Sequence, residues 1–306
     1  MKRTAMITGA HGFIGRHVAQ RFARAGHKVI GIGHGSWSDK ELVEFGIHEW
    51  HTADITLDTL MDYAGEPDVL IHCAGSGAVS YSMTHPYQDF NRSVTTTASV
   101  LEYIRVYAPH CKLIYPSSAA VYGVAESLPI NESDALHPLS PYGVHKLMAE
   151  ELCKSYGNNF QISISIVRLF SIYGEGLRKQ LLWDACSKAS FGDNLFFGSG
   201  MELRDWLHVE DAAELMFVLS QSTDPGCTIA NGGSGEGVPV RDVLTAVFEA
   251  YQTSSRPTFS GLPRPGDPPG YQAVIKLAQE SGWTPRVSWR EGVQRYVNWF
   301  LQECAR

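Results

Sequence analysis

The stretch Met6-Ile7-Thr8-Gly9-Ala10-His11-Gly12-Phe13-Ile14-Gly15 decides how this 306-residue chain reads. Ala5–Thr8 before the glycines predicts a strand, and His17–Ala25 after them predicts a helix ended by Gly26. Glycine at positions 9, 12 and 15 allows a tight strand-to-helix turn, close backbone approach to a pyrophosphate and close helix packing. The following helix start presents unpaired N–H groups and a positive dipole end to such an anion. The spacing is Gly-x-x-Gly-x-x-Gly, one residue longer in the turn than Gly-x-Gly-x-x-Gly.

Working outward, short β-like runs alternate with helical patterns through the first half. Lys28–Ile32, Asp68–Cys73, Lys112–Tyr115 and Ile162–Phe170 read as further strands, and Ser93–Tyr107 and Tyr142–Tyr156 as helices. That alternation predicts an α/β fold, a Rossmann-type doubly wound parallel sheet covered by helices. From about residue 175 glycine- and proline-rich links separate shorter elements, with helical stretches at 209–221, 240–251 and 291–303. We therefore expect a dinucleotide-binding domain over 1–174 and a smaller mixed α/β substrate lobe over 175–306, with the chain weaving between them.

Composition narrows the function. The net charge of −7 argues against general nucleic-acid or anionic-membrane binding. No apolar run reaches the roughly 18 residues of a transmembrane helix. Lys2-Arg3 leads into a short apolar run and then glycines, which does not read as a secretory leader. Six cysteines are scattered without a metal-type pair, as expected of reduced thiols in a cytoplasm. The twelve histidines show no ligand pattern, so no metal is assigned.

Two further features carry chemistry. An Asp or Glu commonly meets the cofactor ribose 2′-hydroxyl at the end of the second strand. Here the run is Val29-Ile30-Gly31-Ile32-Gly33-His34-Gly35-Ser36, without an acid. His34 and Ser36 can donate to a 2′-phosphate and Arg16 can reach one, which favours NADP(H) over NAD(H). Downstream, Tyr142 and Lys146 are four apart and share one helix face. A nearby ammonium lowers a tyrosine pKa from about 10 toward working pH, making a proton donor or acceptor for a hydroxyl/ketone pair.

Together with Ala53-Asp54-Ile55, Ile71-His72-Cys73-Ala74-Gly75, Ser117-Ser118-Ala119-Ala120-Val121-Tyr122-Gly123, Arg168-Leu-Phe-Ser-Ile-Tyr-Gly174, Arg204-Asp-Trp-Leu-His-Val-Glu-Asp211 and Gly282-Trp283-Thr-Pro285, these motifs resemble the extended short-chain dehydrogenase/reductase family, in its nucleotide-sugar epimerase/dehydratase/reductase branch. The resemblance implies that Ser118 holds the substrate oxygen while Tyr142 exchanges its proton. Lys146 would hold the nicotinamide ribose and keep the phenol acidic. It implies cofactor contacts from Gly9, Gly12, Phe13, Ile14, Gly15, Asp54, Ile55, Ala74, Gly75 and Ser93. It implies substrate contacts from Ser171, Gln180, Phe197, Arg204, Arg264 and Tyr271, the two arginines gripping a diphosphate. Arg204 alternatively forms a structural pair with Asp205 or Asp211.

The family's 4,6-dehydratases carry acids just after the Ser118 position; Ala119 and Ala120 stand there instead, which argues against dehydration. The leading expectation is an NADPH-dependent reductase of a nucleotide-linked 4-keto-6-deoxy sugar. A nucleotide-sugar 4-epimerase is the alternative, and a non-catalytic dinucleotide-binding protein a remote one. The resemblance also implies a homodimer built on Ser93–Tyr107 and Tyr142–Tyr156.

Overall fold

The computed structural model describes residues 2–222, 224–262, 268 and 270–304. The chain runs β1 (Thr4–Thr8), α1 (Phe13–Arg24), β2 (Lys28–Gly33), α2 (Asp39–Phe45), β3 (Glu49–Thr52), α3 (Leu57–Tyr63), β4 (Val69–His72), α4 (Val79–Thr84) and α5 (Pro86–Phe90). A π-helical turn (Asn91–Thr95) leads into α6 (Thr96–Tyr107) and β5 (Lys112–Ser118). A 3₁₀ turn (Ala119–Val121) precedes α7 (Pro141–Phe160) and β6 (Ser163–Leu169). Then come β7 (Ser171–Tyr173), α8 (Gln180–Phe191), β8 (Leu195–Phe196), β9 (Leu203–His208), α9 (Val209–Leu219) and β10 (Gly226–Gly232). The last elements are β11 (Gly237–Pro239), α10 (Val240–Ala250), β12 (Thr258–Phe259), α11 (Lys276–Glu280) and α12 (Trp289–Cys304).

Seven strands form one parallel sheet in the order β10-β6-β5-β4-β1-β2-β3. This is a Rossmann-like α/β fold. The chain order reverses between β1 and β4, which pair with Thr8 opposite His72; ligands of open parallel sheets bind at such a switch point, beyond the carboxyl ends of the strands. Both faces of the sheet are covered, so its strands are apolar on both sides. Along β1, Ala5 and Ile7 join Val18 and Phe22 of α1 and Leu215 and Met216 of α9. Met6 faces the other way, with Leu101 and Ile104 of α6 and Ala149 and Cys153 of α7.

The structure departs from the sequence reading in particulars. The helix expected over Ser93–Tyr107 opens with the π turn that contains Ser93. Helix α7 extends to Phe160, past the expected Tyr156. Strand β10, from beyond residue 174, pairs with β6 at the edge of the main sheet. The remaining core lies among α8, α10 and α12, around Trp206, Phe248, Tyr296 and Phe300. Among the described residues no helix is long and apolar enough to cross a membrane.

Candidate active site

Every first-half strand delivers a candidate residue at its carboxyl end. Gly9 follows β1, with φ of +67°, and a Cβ there would lie 2.6 Å from the Ala74 nitrogen. Only glycine lets the turns after β1 and β4 pack this closely. Helix α1 starts at Gly12 with no side-chain cap and no acid in its first turn. Its leading N–H groups are thus left for an anion, and this bare turn fits a dinucleotide pyrophosphate.

At the adenosine end the structure changes the sequence reading. Asp54, just after β3, brings its carboxylate to His34 beyond β2, where His34 Nε2 donates to Asp54 Oδ1 at 2.8 Å. The carboxylate missing from the second strand's own sequence is supplied from the third. Arg16, expected to reach a 2′-phosphate, instead folds back. Its Nη2 donates to the His11 carbonyl at 2.8 Å, and its guanidinium packs over Trp37 and Phe45. Ser36 is exposed, while Ile55 is buried in the core. Gly75 lies next to the π turn: a Cβ there would meet the Arg92 carbonyl at 3.4 Å and the Ser93 hydroxyl at 4.0 Å. The Ser93 hydroxyl itself is buried without a partner. Beneath the turn, His72 Nδ1 shares a 2.7 Å hydrogen bond with the Thr8 hydroxyl, and burial pushes its pKa down to about 3. The imidazole is therefore neutral.

Ser118 ends β5 and caps the 3₁₀ turn, its hydroxyl accepting from the Ala120 N–H at 3.2 Å. Helix α7 begins against that turn, because Gly143 has no side chain; a Cβ there would lie 2.6 Å from the Ala120 carbonyl. Ser140 is its N-cap, and Pro141 fills the first helical position. This contact brings the Tyr142 phenol within hydrogen-bonding reach of Ser118. Lys146, one turn on, is buried, donates to the Pro116 carbonyl at 2.9 Å and sits 4.9 Å over the Tyr115 ring. Burial lowers its pKa to about 8.

The phenol does not follow the sequence expectation. Burial raises the Tyr142 pKa, the hydrogen bond from Ser118 opposes that rise, and the Asp89 carboxylate adds to it. Desolvation therefore outweighs any help from Lys146, whose ammonium is directed at Pro116. Burial likewise pushes the Cys73 thiol up to about 12, leaving it unreactive.

The expected substrate residues are more dispersed. Tyr271 reaches the turn after Ser118, donating from its hydroxyl to the Gly123 carbonyl at 3.0 Å and packing edge-on to Phe170. Arg204 donates to the Leu203 carbonyl at 2.8 Å, and the Tyr271 N–H donates to the same carbonyl at 3.0 Å. Asp205 is instead occupied by the N–H groups of Ser234, Gly235 and Ala273. Ser171 begins β7 beside the sheet edge, half-buried. Gln180 opens α8 in the left-handed region, φ +68°, costly for a side-chain-bearing residue. Phe197 is exposed just beyond β8. Arg264 lies outside the described residues.

Two buried features escaped the sequence reading. Glu150, one turn beyond Lys146, accepts from Ser117 Oγ at 2.6 Å and from Arg168 through both oxygens. Arg168 also donates to Tyr122 and to the Glu132 carbonyl, and Tyr122 donates to Asn231. The second is Asp89 on α5, fully buried and bonded to His145 of α7. The i+3 spacing of His145 from Tyr142 was a usable signal; its partner, 56 residues away, was not.

Comparison with known proteins gives a consistent picture. A family model, the NAD dependent epimerase/dehydratase family, matches residues 5–230. A UDP-glucose 4-epimerase of Azospirillum brasilense is 29% identical over 314 residues, covering 95% of this chain and 89% of its own. The structure of MoeE5 in complex with UDP-glucuronic acid and NAD is 27% identical with a TM-score of 0.85, covering 98% of this chain and 99% of that one. The Bacillus cereus UDP-glucuronic acid 4-epimerase in complex with UDP-glucuronic acid and NAD is 25% identical with a TM-score of 0.86, over the same shares.

Proposed function

The chain belongs to the NAD dependent epimerase/dehydratase family, and from that premise we propose that it is an NAD(H)-dependent 4-epimerase of UDP-linked hexoses. One observation carries the reading. Ser118 stands within hydrogen-bonding reach of Tyr142, Lys146 lies one helical turn on, and the residues after Ser118 are Ala119 and Ala120, with no acid to expel a hydroxyl.

Gly9, Gly12, Gly15, Ala74 and Gly75 would hold the cofactor backbone, and Asp54 with His34 its adenosine ribose. When bound there, the nicotinamide supplies a reversible hydride carrier. The protein's own part is proton transfer. Ser118 holds the C4 oxygen, and Tyr142 takes its hydroxyl proton as the alcohol becomes a ketone and returns it to the same oxygen when the alcohol re-forms with C4 inverted. Lys146 stabilises the negative phenol oxygen while that proton is away. Substrate contacts from Ser171, Gln180, Phe197, Arg204, Arg264 and Tyr271 belong to the same reading, as does a division near residue 174.

The sequence ranked a 4-keto sugar reductase with NADP(H) ahead of an epimerase. Two findings reverse that order. Asp54 places a carboxylate beside His34, where it would repel a 2′-phosphate, and the Azospirillum brasilense and Bacillus cereus relatives are UDP-sugar 4-epimerases, while the MoeE5 and Bacillus cereus structures hold UDP-glucuronic acid and NAD. We also propose a homodimer. An apolar groove along α7 is lined by Phe90, Val94, Val144, Leu147, Met148 and Leu152, with Val144 and Met148 exposed.

The decisive assay supplies UDP-glucose and UDP-glucuronate to the purified protein without added reductant. C4 inversion without net cofactor consumption is expected. Stoichiometric NADPH loss with a 4-keto sugar, and no inversion, would restore the reductase.

A further inference from the structure

Asp89 is wholly buried on α5, among the residues that pack on the first two turns of α7. Its Oδ2 accepts from His145 Nδ1 at 2.6 Å, while Oδ1 is buried with no hydrogen-bond partner. The imidazole is fixed in turn, edge-on to Phe90 at 5.5 Å between centroids. His145 lies between Tyr142 and Lys146 on the same helical turn. Leaving a buried carboxylate oxygen unmet costs free energy. Such a cost beside two reactive side chains calls for a function.

We propose that Asp89, held by His145, is a positioning residue whose negative charge sets the protonation state of the Tyr142–Lys146 pair. The proposal rests on the catalytic reading of that pair given above. Other charges near the pair are already balanced or neutral. On α7, Glu150 is bound bidentately by Arg168 of β6. The thiols of Cys73, Cys153 and Cys227 are pushed up by burial, as is the Tyr115 phenol. His72 at the end of β4 is held neutral. Helix α4 contributes the Ser82 hydroxyl, which accepts from the Tyr142 N–H at 3.0 Å. Arg92 on the π turn is exposed over Tyr81, and Glu102 on α6 is paired with Arg105. Asp89 acts on both members of the pair, and in the same direction, raising the affinity of each for its proton. Whichever of the two gives up a proton first, removal of the Asp89 charge makes that loss easier.

The test is Asp89→Asn, which keeps size and an acceptor for His145 while removing the charge. In the cofactor-loaded enzyme the rising limb of kcat against pH should move about one pH unit lower. The Tyr142 signal in ζ-¹³C-tyrosine NMR, assigned by its loss in Tyr142→Phe, should titrate lower in the same way. A drop in kcat with both midpoints unmoved would show a merely structural role and overturn the proposal. His145→Asn provides a second variant, keeping a neutral side-chain donor to Asp89 and leaving the Asp89 charge in place. Its limb should stay near the wild-type position; a displacement as large as that of Asp89→Asn and in the same direction also overturns the proposal. Full turnover in Tyr142→Phe would refute the catalytic reading instead, while the NMR titration continues to test Asp89.

Discussion

Two carboxylates are buried against helix α7, and they are solvated by the protein very differently. Around Glu150, in the middle of the helix, each oxygen accepts from Arg168, and Ser117 adds another donor. The guanidinium continues through Tyr122 to Asn231, tying α7 to β6 and β10. Around Asp89, which meets α7 at His145, nearer the helix start, one oxygen has a histidine and the other has nothing. Complete pairing is what a buried charge needs in order to serve as architecture. Incomplete pairing is tolerated where the charge is used on a neighbour. The middle of α7 is therefore a structural joint and its first turns the reactive end, and each can be perturbed separately.

The largest effect should come from the reactive end. Tyr142→Phe removes the proton carrier and keeps the ring, so turnover should fall by about 10²–10⁴. The melting temperature should barely change. Steady-state inversion of the UDP-sugar checks the first, and a thermal melt the second. Turnover within a few-fold of wild type would move the chemistry off this helix.

At the structural joint the pattern should invert. Arg168→Met leaves Glu150 charged and buried without its counter-ion, a change that costs about 3–5 kcal/mol. Urea unfolding at neutral pH measures it. A loss below about 1 kcal/mol would mean the joint carries little, and the contrast between the two regions would collapse.

Lys146 supplies a pH test of the same contrast. Its pKa falls from 10.5 to about 8 on folding. Between those values the unfolded chain binds more protons, so this group makes stability rise with pH across that window. Below pH 8 its burial penalty is fully present, about 3 kcal/mol. Lys146→Met should therefore be more stable than wild type at pH 7, with the advantage shrinking from pH 8 toward 10.5, while activity is lost. Unfolding free energies at pH 7 and pH 9.5 measure the trend; an advantage independent of pH would count against it.

How much of this was legible beforehand depended on whether the physics was local. The glycine turn, β1, β2 and the Tyr142–Lys146 spacing are all encoded within a dozen residues, and periodicity found them. Strand β10 could not be placed that way, since its pairing with β6 joins segments some 60 residues apart. The Asp54 carboxylate was legible only as an implied cofactor contact, because nothing local brings it back to His34. The π turn at Ser93 has helical composition, so its altered hydrogen bonding left no trace in pattern. The direction of the Tyr142 pKa was misjudged for a different reason. Helical spacing revealed the neighbouring cation but not the burial that outweighs it.

The smallest predicted effect separates anchoring from chemistry at the reactive end itself. Ser140 caps α7 by accepting from the Gly143 N–H at 3.2 Å, and such a cap contributes about 1 kcal/mol. Ser140→Ala should lower stability by that amount. Turnover should change less than threefold, because the Tyr142 N–H is held separately, by Ser82 Oγ of α4 at 3.0 Å. Placement of the phenol thus depends on α4 and on the Gly143 contact rather than on the helix's own cap. Adding Ser82→Ala removes that second anchor, so the double variant should lose turnover well beyond the sum of the singles, read from kcat at saturating substrate. If Ser140→Ala alone cost as much turnover as the double variant, the helix start and not its α4 anchor would be placing Tyr142.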